Sequence, residues 1–262
     1  MEAPILFYEP GSPPCRVVLM FLLENGIPHK IQRIKLFEKD HLKPEYQKVN
    51  PFQKVPAIQD EDGFYLAESH AILKYLVRTR ASMVQEHWYP SDPRKRAKID
   101  ELLDWHHSSL SWCTKVTVWN AVMVAKFMKQ PQSVSIPVVE FALDRVKKSL
   151  ATLEQLIGDG PFMIKGMEQP SIADLSIFVE IDNLRLLPSN VLAYIQTNTP
   201  TSNAIEDRNS RYYFSWTEYP RLCRWMERMR QLKSYSQVHQ SFEKVVAMLH
   251  PSTTNRNAFA KI

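Results

Sequence analysis

Two patterns of apolar and polar positions divide the chain. Up to about residue 80, short apolar runs alternate with helical spacing; beyond 93, helical spacing stands alone. Ile5-Leu6-Phe7-Tyr8 predicts a strand, stopped by Pro10-Gly11. From Pro14 to Asn25, Val17, Val18, Phe21 and Leu22 fall on one helical face. Gly26-Ile27-Pro28 ends that helix, because glycine suits the position after a helix and proline cannot continue one. His29 to Ile34 predicts a second strand, and Pro44 to Val49 one or two helical turns. Val55-Pro56-Ala57-Ile58-Gln59 predicts a strand entered through proline, Asp60 to Gly63 a hairpin turn, and Phe64-Tyr65-Leu66-Ala67 its return strand. Ser69 then opens a helix through Ile72, Leu73, Tyr75 and Leu76.

The resulting order, βαβαββα, is that of a thioredoxin-like domain, with a parallel β-α-β half and an antiparallel hairpin half. Residues 81–93 hold Tyr89-Pro90-Ser91-Asp92-Pro93 and predict a turn-rich linker. Arg94 to about Lys129 predicts one long, bent helix. Val138, Phe141, Ala142, Val146, Leu150, Leu153 and Ile157 keep a helical stripe up to Gly158. Ser171-Ile172-Ala173-Asp174 has capping-box spacing: the serine hydroxyl accepts a helix N–H while the aspartate reaches back to the serine's own N–H. Leu222, Trp225, Met226, Met229 and Leu232 mark another helix, and Val245, Val246 and Leu249 a last one. These stripes read as core. Residues 188–215 are polar and pattern-poor, and predict a loop. The expected architecture is an α+β thioredoxin-like domain over 1–80, a linker over 81–93, an all-α domain over 94–250, and a flexible tail over 251–262.

Composition narrows the classes. Hydrophobic residues at 44% and charged residues at 23% exclude wholesale disorder. Six glycines against 18 prolines argue against Gly-rich phosphate loops. No apolar run approaches a membrane span, and Met1-Glu2-Ala3-Pro4 lacks the basic start of a signal peptide, so no membrane partner is expected. Three scattered cysteines, Cys15, Cys113 and Cys223, argue against a disulfide framework and for a reducing compartment, hence a cytoplasmic location. The net charge of +5 has no basic block interleaved with aromatics, so no nucleic-acid partner is expected either.

Metalloprotease, serine-hydrolase, nucleotide and paired-CxxC signatures are absent, and no metal is expected. His106 and His107 are adjacent, cannot face one metal from a helix, and read as packing or surface residues. The loop Ser12-Pro13-Pro14-Cys15 stands between the first strand and the first helix, the corner where thioredoxin-like domains carry a reactive cysteine. Here the first position is serine. A helix N-terminus stabilises a thiolate, and a serine hydroxyl can donate to one, so the sulfur is expected to arrive on a ligand. A cis Val55-Pro56 bond would offer backbone groups to an extended peptide. Glu68-Ser69, at the start of the next helix, would take a carboxylate on Ser69 and an ammonium on Glu68. A small peptide-like thiol fits these groups, with His41 and Lys54 on its other carboxylate.

On these residues the chain resembles the glutathione transferases, and the theta class best, with plant members nearest. The resemblance rests on Ser12-Pro13-Pro14-Cys15-Arg16, His41-Leu42, Val49-Asn50-Pro51, Lys54-Val55-Pro56-Ala57 and Glu68-Ser69-His70-Ala71-Ile72-Leu73. His87-Trp88-Tyr89-Pro90, Arg96-Ala97-Lys98-Ile99, Asp104-Trp105-His106-His107 and Pro170-Ser171-Ile172-Ala173-Asp174-Leu175 extend it. It implies Ser12 as the residue that activates the glutathione thiol, and His41, Lys54, Val55, Glu68 and Ser69 as the glutathione holders. Pro56, Ser171 and Asp174 would be structural. The region after Trp105, including Trp119, would line the second-substrate pocket. It further implies a homodimer, glutathione as co-substrate with no other cofactor, and a hydrophobic electrophile or hydroperoxide as second substrate. Ser111-Trp112 departs from the pair of arginines that some animal members carry there. Two rival readings are a Cys15-dependent thiol transferase and a non-catalytic ligand-carrying or assembly module. Ala260-Lys261-Ile262 resembles a peroxisomal import tripeptide.

Overall fold

The computed structural model describes residues 3–128, 134–188, 191 and 215–250. The expected loop over 188–215, apart from positions 188, 191 and 215, and the tail with Ala260-Lys261-Ile262 lie outside the described residues.

The first half forms a four-stranded sheet in the order β2-β1-β3-β4, with β1 Ile5–Tyr8, β2 Lys30–Arg33, β3 Ala57–Gln59 and β4 Tyr65–Ala67. β1 runs parallel to β2 and antiparallel to β3, and β3 pairs antiparallel with β4. The parallel pair is bridged by α1 (Pro13–Glu24), because a parallel neighbour needs a crossover; the antiparallel pair needs only a turn. A short α2 (Pro44–Gln47) precedes β3, and α3 (Ser69–Thr79) follows β4. The Arg80 guanidinium pairs with Asp60 at 2.6 Å, both buried, and the Tyr75 hydroxyl donates to the same carboxylate at 2.7 Å, so the hairpin is tied to the end of α3.

Residues 81–93 are packed in place. Trp88 and Tyr89 are buried, Trp88 meets Phe21 edge-on at 5.7 Å, and the His87 Nδ1 lies 2.6 Å from the Pro170 carbonyl oxygen. The predicted single long helix is α4 (Pro93–Trp105), a π-helical stretch over His106–Ser111, α5 (Trp112–Val118) and a second π-helical stretch over Trp119–Phe127. Each π stretch shifts the phase of the side chains, which heptad-like reading cannot detect. α6 (Ile136–Ile157), α7 (Ile172–Asp182), α8 (Pro220–Arg230) and α9 (Tyr235–Leu249) complete the described helices.

Every residue of α7 is buried. With no side left to solvent it is enclosed by its neighbours α1, α3, α4 and α8, and its polar Asp174, Ser176, Glu180 and Asp182 are buried with the rest. Its start carries the expected capping box. Asp174 accepts from the Ser171 N–H at 2.9 Å, and the Ser171 hydroxyl accepts from the Asp174 N–H at 3.3 Å. The α1 side meets the helical part through Arg16, which is fully buried. Its guanidinium lies over the Phe242 ring at 4.5 Å and donates to the Pro10 carbonyl and the Asn183 side chain. One continuous apolar core runs from Leu6 on the sheet to Phe242 on α9. Among the described residues, no helix is long and apolar enough to cross a membrane.

Candidate active site

A cleft opens where the N-termini of α1 and α3 approach the first π stretch, α5 and α7. Pro13, Pro14 and Val17 line it from α1, Lys54, Val55 and Pro56 from the loop before β3, and Glu68 and Ser69 from the start of α3. Four of the five expected peptide-holding residues, Lys54, Val55, Glu68 and Ser69, are therefore brought together with Pro56.

The loop before β3 is held from beneath. The Lys54 carbonyl accepts from the Tyr46 hydroxyl and the Asn50 amide, each at 2.7 Å. Val55-Pro56 is cis. Glu68 has φ 68 and ψ 116, a conformation that favours glycine. A non-glycine residue held there costs on the order of 1–3 kcal/mol, and such strain clusters at ligand sites. It turns the chain from β4 directly into α3, so the free N–H groups of the first α3 turn face the cleft end of the helix.

Two expected residues stand elsewhere. His41 lies in a 3-10 turn over Asp40–Leu42, with its Nδ1 buried and unpartnered, and it is not among the cleft-lining residues. Ser12 is the N-cap of α1 and immediately precedes the lining residues Pro13 and Pro14, but is not itself among them. Its side chain makes no cap hydrogen bond. Cys15 is fully buried, and burial pushes its thiol up to about 12 against the lowering influence of the nearby Ser12 side chain and the hydrogen bond from the Glu9 N–H. Burial also raises Cys113, and raises Cys223 to about 11.

The far wall draws on the stretch after Trp105, the region the resemblance implied for the second-substrate pocket, together with α3 and α7. His70, His106, His107, Ser111, Lys115, Ser176 and Glu180 line the cleft there. His106, buried and packed against His70, and His107, exposed at the surface, both border the cleft, because the π stretch carries them past α7. Trp119, expected on the second-substrate wall, is half exposed and not among the lining residues. The one sequence signal for this wall was the Trp105-His106-His107 run. It could not identify Glu180, which comes from a helix more than seventy residues later.

The domain family described as glutathione S-transferase, N-terminal domain, matches residues 11–79. Glutathione S-transferase T1 of Arabidopsis thaliana is 41% identical over 182 residues, covering 67% of this chain and 70% of its own length. Human glutathione S-transferase theta-1 is 36% identical over 176 residues, covering 67% of this chain and 71% of its own. Among solved structures, the apo form of human glutathione-S-transferase T1-1 superposes with a TM-score of 0.74 at 26% identity, over 94% of this chain and 90% of its own. Human glutathione transferase theta-2, solved in complex with glutathione and an unknown ligand, gives 0.73 at 25% identity, over 94% and 89%.

Proposed function

The chain belongs to the theta-class glutathione transferases, and on that premise we propose that its cleft binds glutathione and presents the thiol as a thiolate to a second substrate. The observation that carries this reading is the convergence of Lys54, Val55, Pro56, Glu68 and Ser69 on the cleft that the α1 N-terminus also enters. An extended peptide pairs with the backbone at Val55. Its glutamyl carboxylate takes the N–H groups of the first α3 turn and the Ser69 hydroxyl, and Glu68 takes its ammonium.

The thiol then lies toward the α1 N-terminus. A free thiol has a pKa near 8.5, and lowering it by one or two units raises the thiolate fraction about tenfold or more at neutral pH. The partial positive charge at the start of α1 and a donated Ser12 hydroxyl act in that direction. The thiolate attacks an electrophilic carbon, a C–S bond forms, and the leaving group departs with the electron pair. Attack on the outer oxygen of an organic hydroperoxide is the second reaction of the same nucleophile.

Two rivals follow from other observations. A Cys15 thiol transferase needs an accessible thiolate, and Cys15 is buried with its thiol pushed up to about 12. A non-catalytic module would bind glutathione without turnover. One experiment separates all three: glutathione-affinity capture, then turnover with haloalkanes, isothiocyanates, aryl halides and cumene hydroperoxide for the wild type, Ser12→Ala and Cys15→Ala. A charge-assisted hydrogen bond is worth roughly 1.5–3 kcal/mol, so Ser12→Ala lowers turnover about 10- to 150-fold. Cys15→Ala stays within a few-fold. Activity that survives Ser12→Ala and vanishes in Cys15→Ala transfers the role to the cysteine. The same premise leads us to expect a homodimer, which light scattering at micromolar concentration checks.

A further inference from the structure

The corner between β1 and α1 is short of hydrogen-bond donors. Pro10-Gly11-Ser12-Pro13-Pro14 contains three prolines, so Gly11 and Ser12 hold its only backbone N–H groups. Both turn back on Glu9: the Ser12 N–H donates to the Glu9 carbonyl at 3.0 Å, and the Gly11 N–H to the Glu9 carboxylate at 3.4 Å. Gly11 is exposed, with nothing within 4 Å of the place a Cβ would take. The corner's ties to α1 run through its carbonyl oxygens, and two of them go to one residue. The Arg16 N–H donates to the Ser12 carbonyl at 3.1 Å, and the Arg16 Nη1 donates to the Pro10 carbonyl at 3.1 Å.

Arg16 is 0% exposed and is held in turn from the distant end of the chain. Its Nη2 donates to the Asn183 side chain at 3.3 Å, just after α7, and its guanidinium lies over the Phe242 ring of α9 at 4.5 Å. A planar, forked guanidinium serves Pro10 and Asn183 at once, which a single ammonium does not. The charged and titratable groups around it are Asp182 and Glu180 on α7, Tyr8 on β1, Cys15 beside it on α1, and His239 on α9. Asp182 already has two other arginines, Arg230 at 2.6 Å and Arg185 at 3.4 Å, so Arg16 is not needed as its counter-charge. Burying a guanidinium is costly, and here its side-chain hydrogen bonds go to a backbone carbonyl and an amide, not to a carboxylate.

We propose that Arg16 is a positioning residue for the reaction: by fixing the Pro10 and Ser12 carbonyls against Asn183 and Phe242, it sets where the Ser12 hydroxyl stands relative to the glutathione thiol. This rests on the glutathione reading above. The helix start offers a thiolate few donors of its own, because Pro13 and Pro14 fill its first two positions and Cys15 is the first residue of α1 with an N–H. The thiolate therefore leans on the hydrogen bond from Ser12, and such a bond weakens steeply once its distance or angle leaves the favourable range. Without the Pro10 tie, the permissive backbone of Gly11 lets the corner drift, and Ser12 with it. Arg16 lies beneath the corner and does not line the cleft, so it acts through Ser12 and not on the ligand.

Ultraviolet difference absorbance reads the thiolate of bound glutathione against pH without a second substrate. In the wild type the titration midpoint lies below that of free glutathione. Ser12→Ala moves it up by about one to two pH units, the loss of one charge-assisted hydrogen bond. Arg16→Met keeps an unbranched chain against Phe242 without the donors, and moves the midpoint up by about 0.5–1 pH unit. Its dissociation constant for S-methylglutathione changes less than about threefold, since the holders across the cleft are untouched. In the Ser12→Ala background, Arg16→Met moves the midpoint by less than about 0.3 pH unit, because both act through one hydrogen bond. Should Arg16→Met not fold, Arg16→Lys, which cannot span Pro10 and Asn183, shows the same pattern at about half the size. An unchanged midpoint in the folded Arg16 variant, or an equal shift with and without the Ser12 hydroxyl, makes Arg16 a purely structural residue and overturns the proposal, leaving the glutathione reading standing. A wild type that binds no glutathione, or an unchanged midpoint in Ser12→Ala, overturns that reading of the site and the proposal with it.

Discussion

Asp174→Ala removes the most heavily used acceptor in the described interior. Four donors converge on that carboxylate: the Met163 N–H at 2.8 Å, the Ser171 N–H at 2.9 Å, the Ser171 hydroxyl at 2.7 Å and the Trp225 indole N–H at 3.0 Å. Asp174 and Trp225 are fully buried, so water cannot replace the lost oxygen atoms. The serine hydroxyl can rotate to another acceptor, but the two backbone N–H groups and the indole N–H cannot. A buried donor left without a partner costs about 1–3 kcal/mol. Three of them in one network relax together, so the sum falls below strict additivity, to about 3–5 kcal/mol. That is about a third or more of an ordinary domain's stability. The segment before α7, α7 itself and α8 are all tied through this one group, so their loss is felt together. Urea unfolding followed by circular dichroism, with tryptophan fluorescence, checks it. The expected midpoint shift is about 1–2 M. Asp174→Asn, which keeps one acceptor oxygen, loses about half as much. A loss below about 1 kcal/mol for Asp174→Ala would refute the claim that this carboxylate organises the three segments.

Three further outcomes are expected. Ser171→Ala removes a helix cap and costs about 1 kcal/mol by urea unfolding, and combined with Asp174→Ala it adds little, because both act through one network. Burial, then Arg16, lowers His239 from 6.5 to about 4. A base whose folded value lies below its unfolded one contributes stability above pH 6.5 and loses it as pH falls through 6.5 toward 4. Urea midpoints measured from pH 7 to 4 decline in the wild type, and His239→Gln flattens that decline by up to about 3 kcal/mol; an equal slope in the variant argues that other groups cause it. Burial holds Cys15 and Cys223 at about 12 and about 11, so maleimide at pH 7 labels the native protein far more slowly than the urea-unfolded chain. Rapid native labelling of Cys15, located by peptide mass, would contradict the buried placement.

Local signals were legible from the residues themselves. The βαβαββα order, the ends of α1 to within one residue, and the Ser171–Asp174 cap depend on contacts within a few residues, where steric and hydrogen-bonding rules leave little choice. The position of Lys54 to Pro56 and Glu68-Ser69 on one wall of the cleft was legible for the same reason: they mark a strand entry and a helix start.

Periodicity says which side of a helix is apolar, but not what stands opposite it. Arg16, at the head of α1, reads as an ordinary charged position, yet it is fully buried because Phe242 and Asn183 close over it from the distant end of the chain. His106 reads as a surface or packing histidine on a regular helix. Two π-helical stretches shift the phase of that helix, and α7 brings Glu180 to within 3.7 Å of it. The sequence by itself determined the strands of the sheet, the order of its elements and the residues along one wall of the cleft, since short-range stereochemistry selects those. The opposite wall and its unpaired His106–Glu180 contact were decided only by tertiary packing, because they depend on which faces of α3, the π stretch and α7 are pressed together.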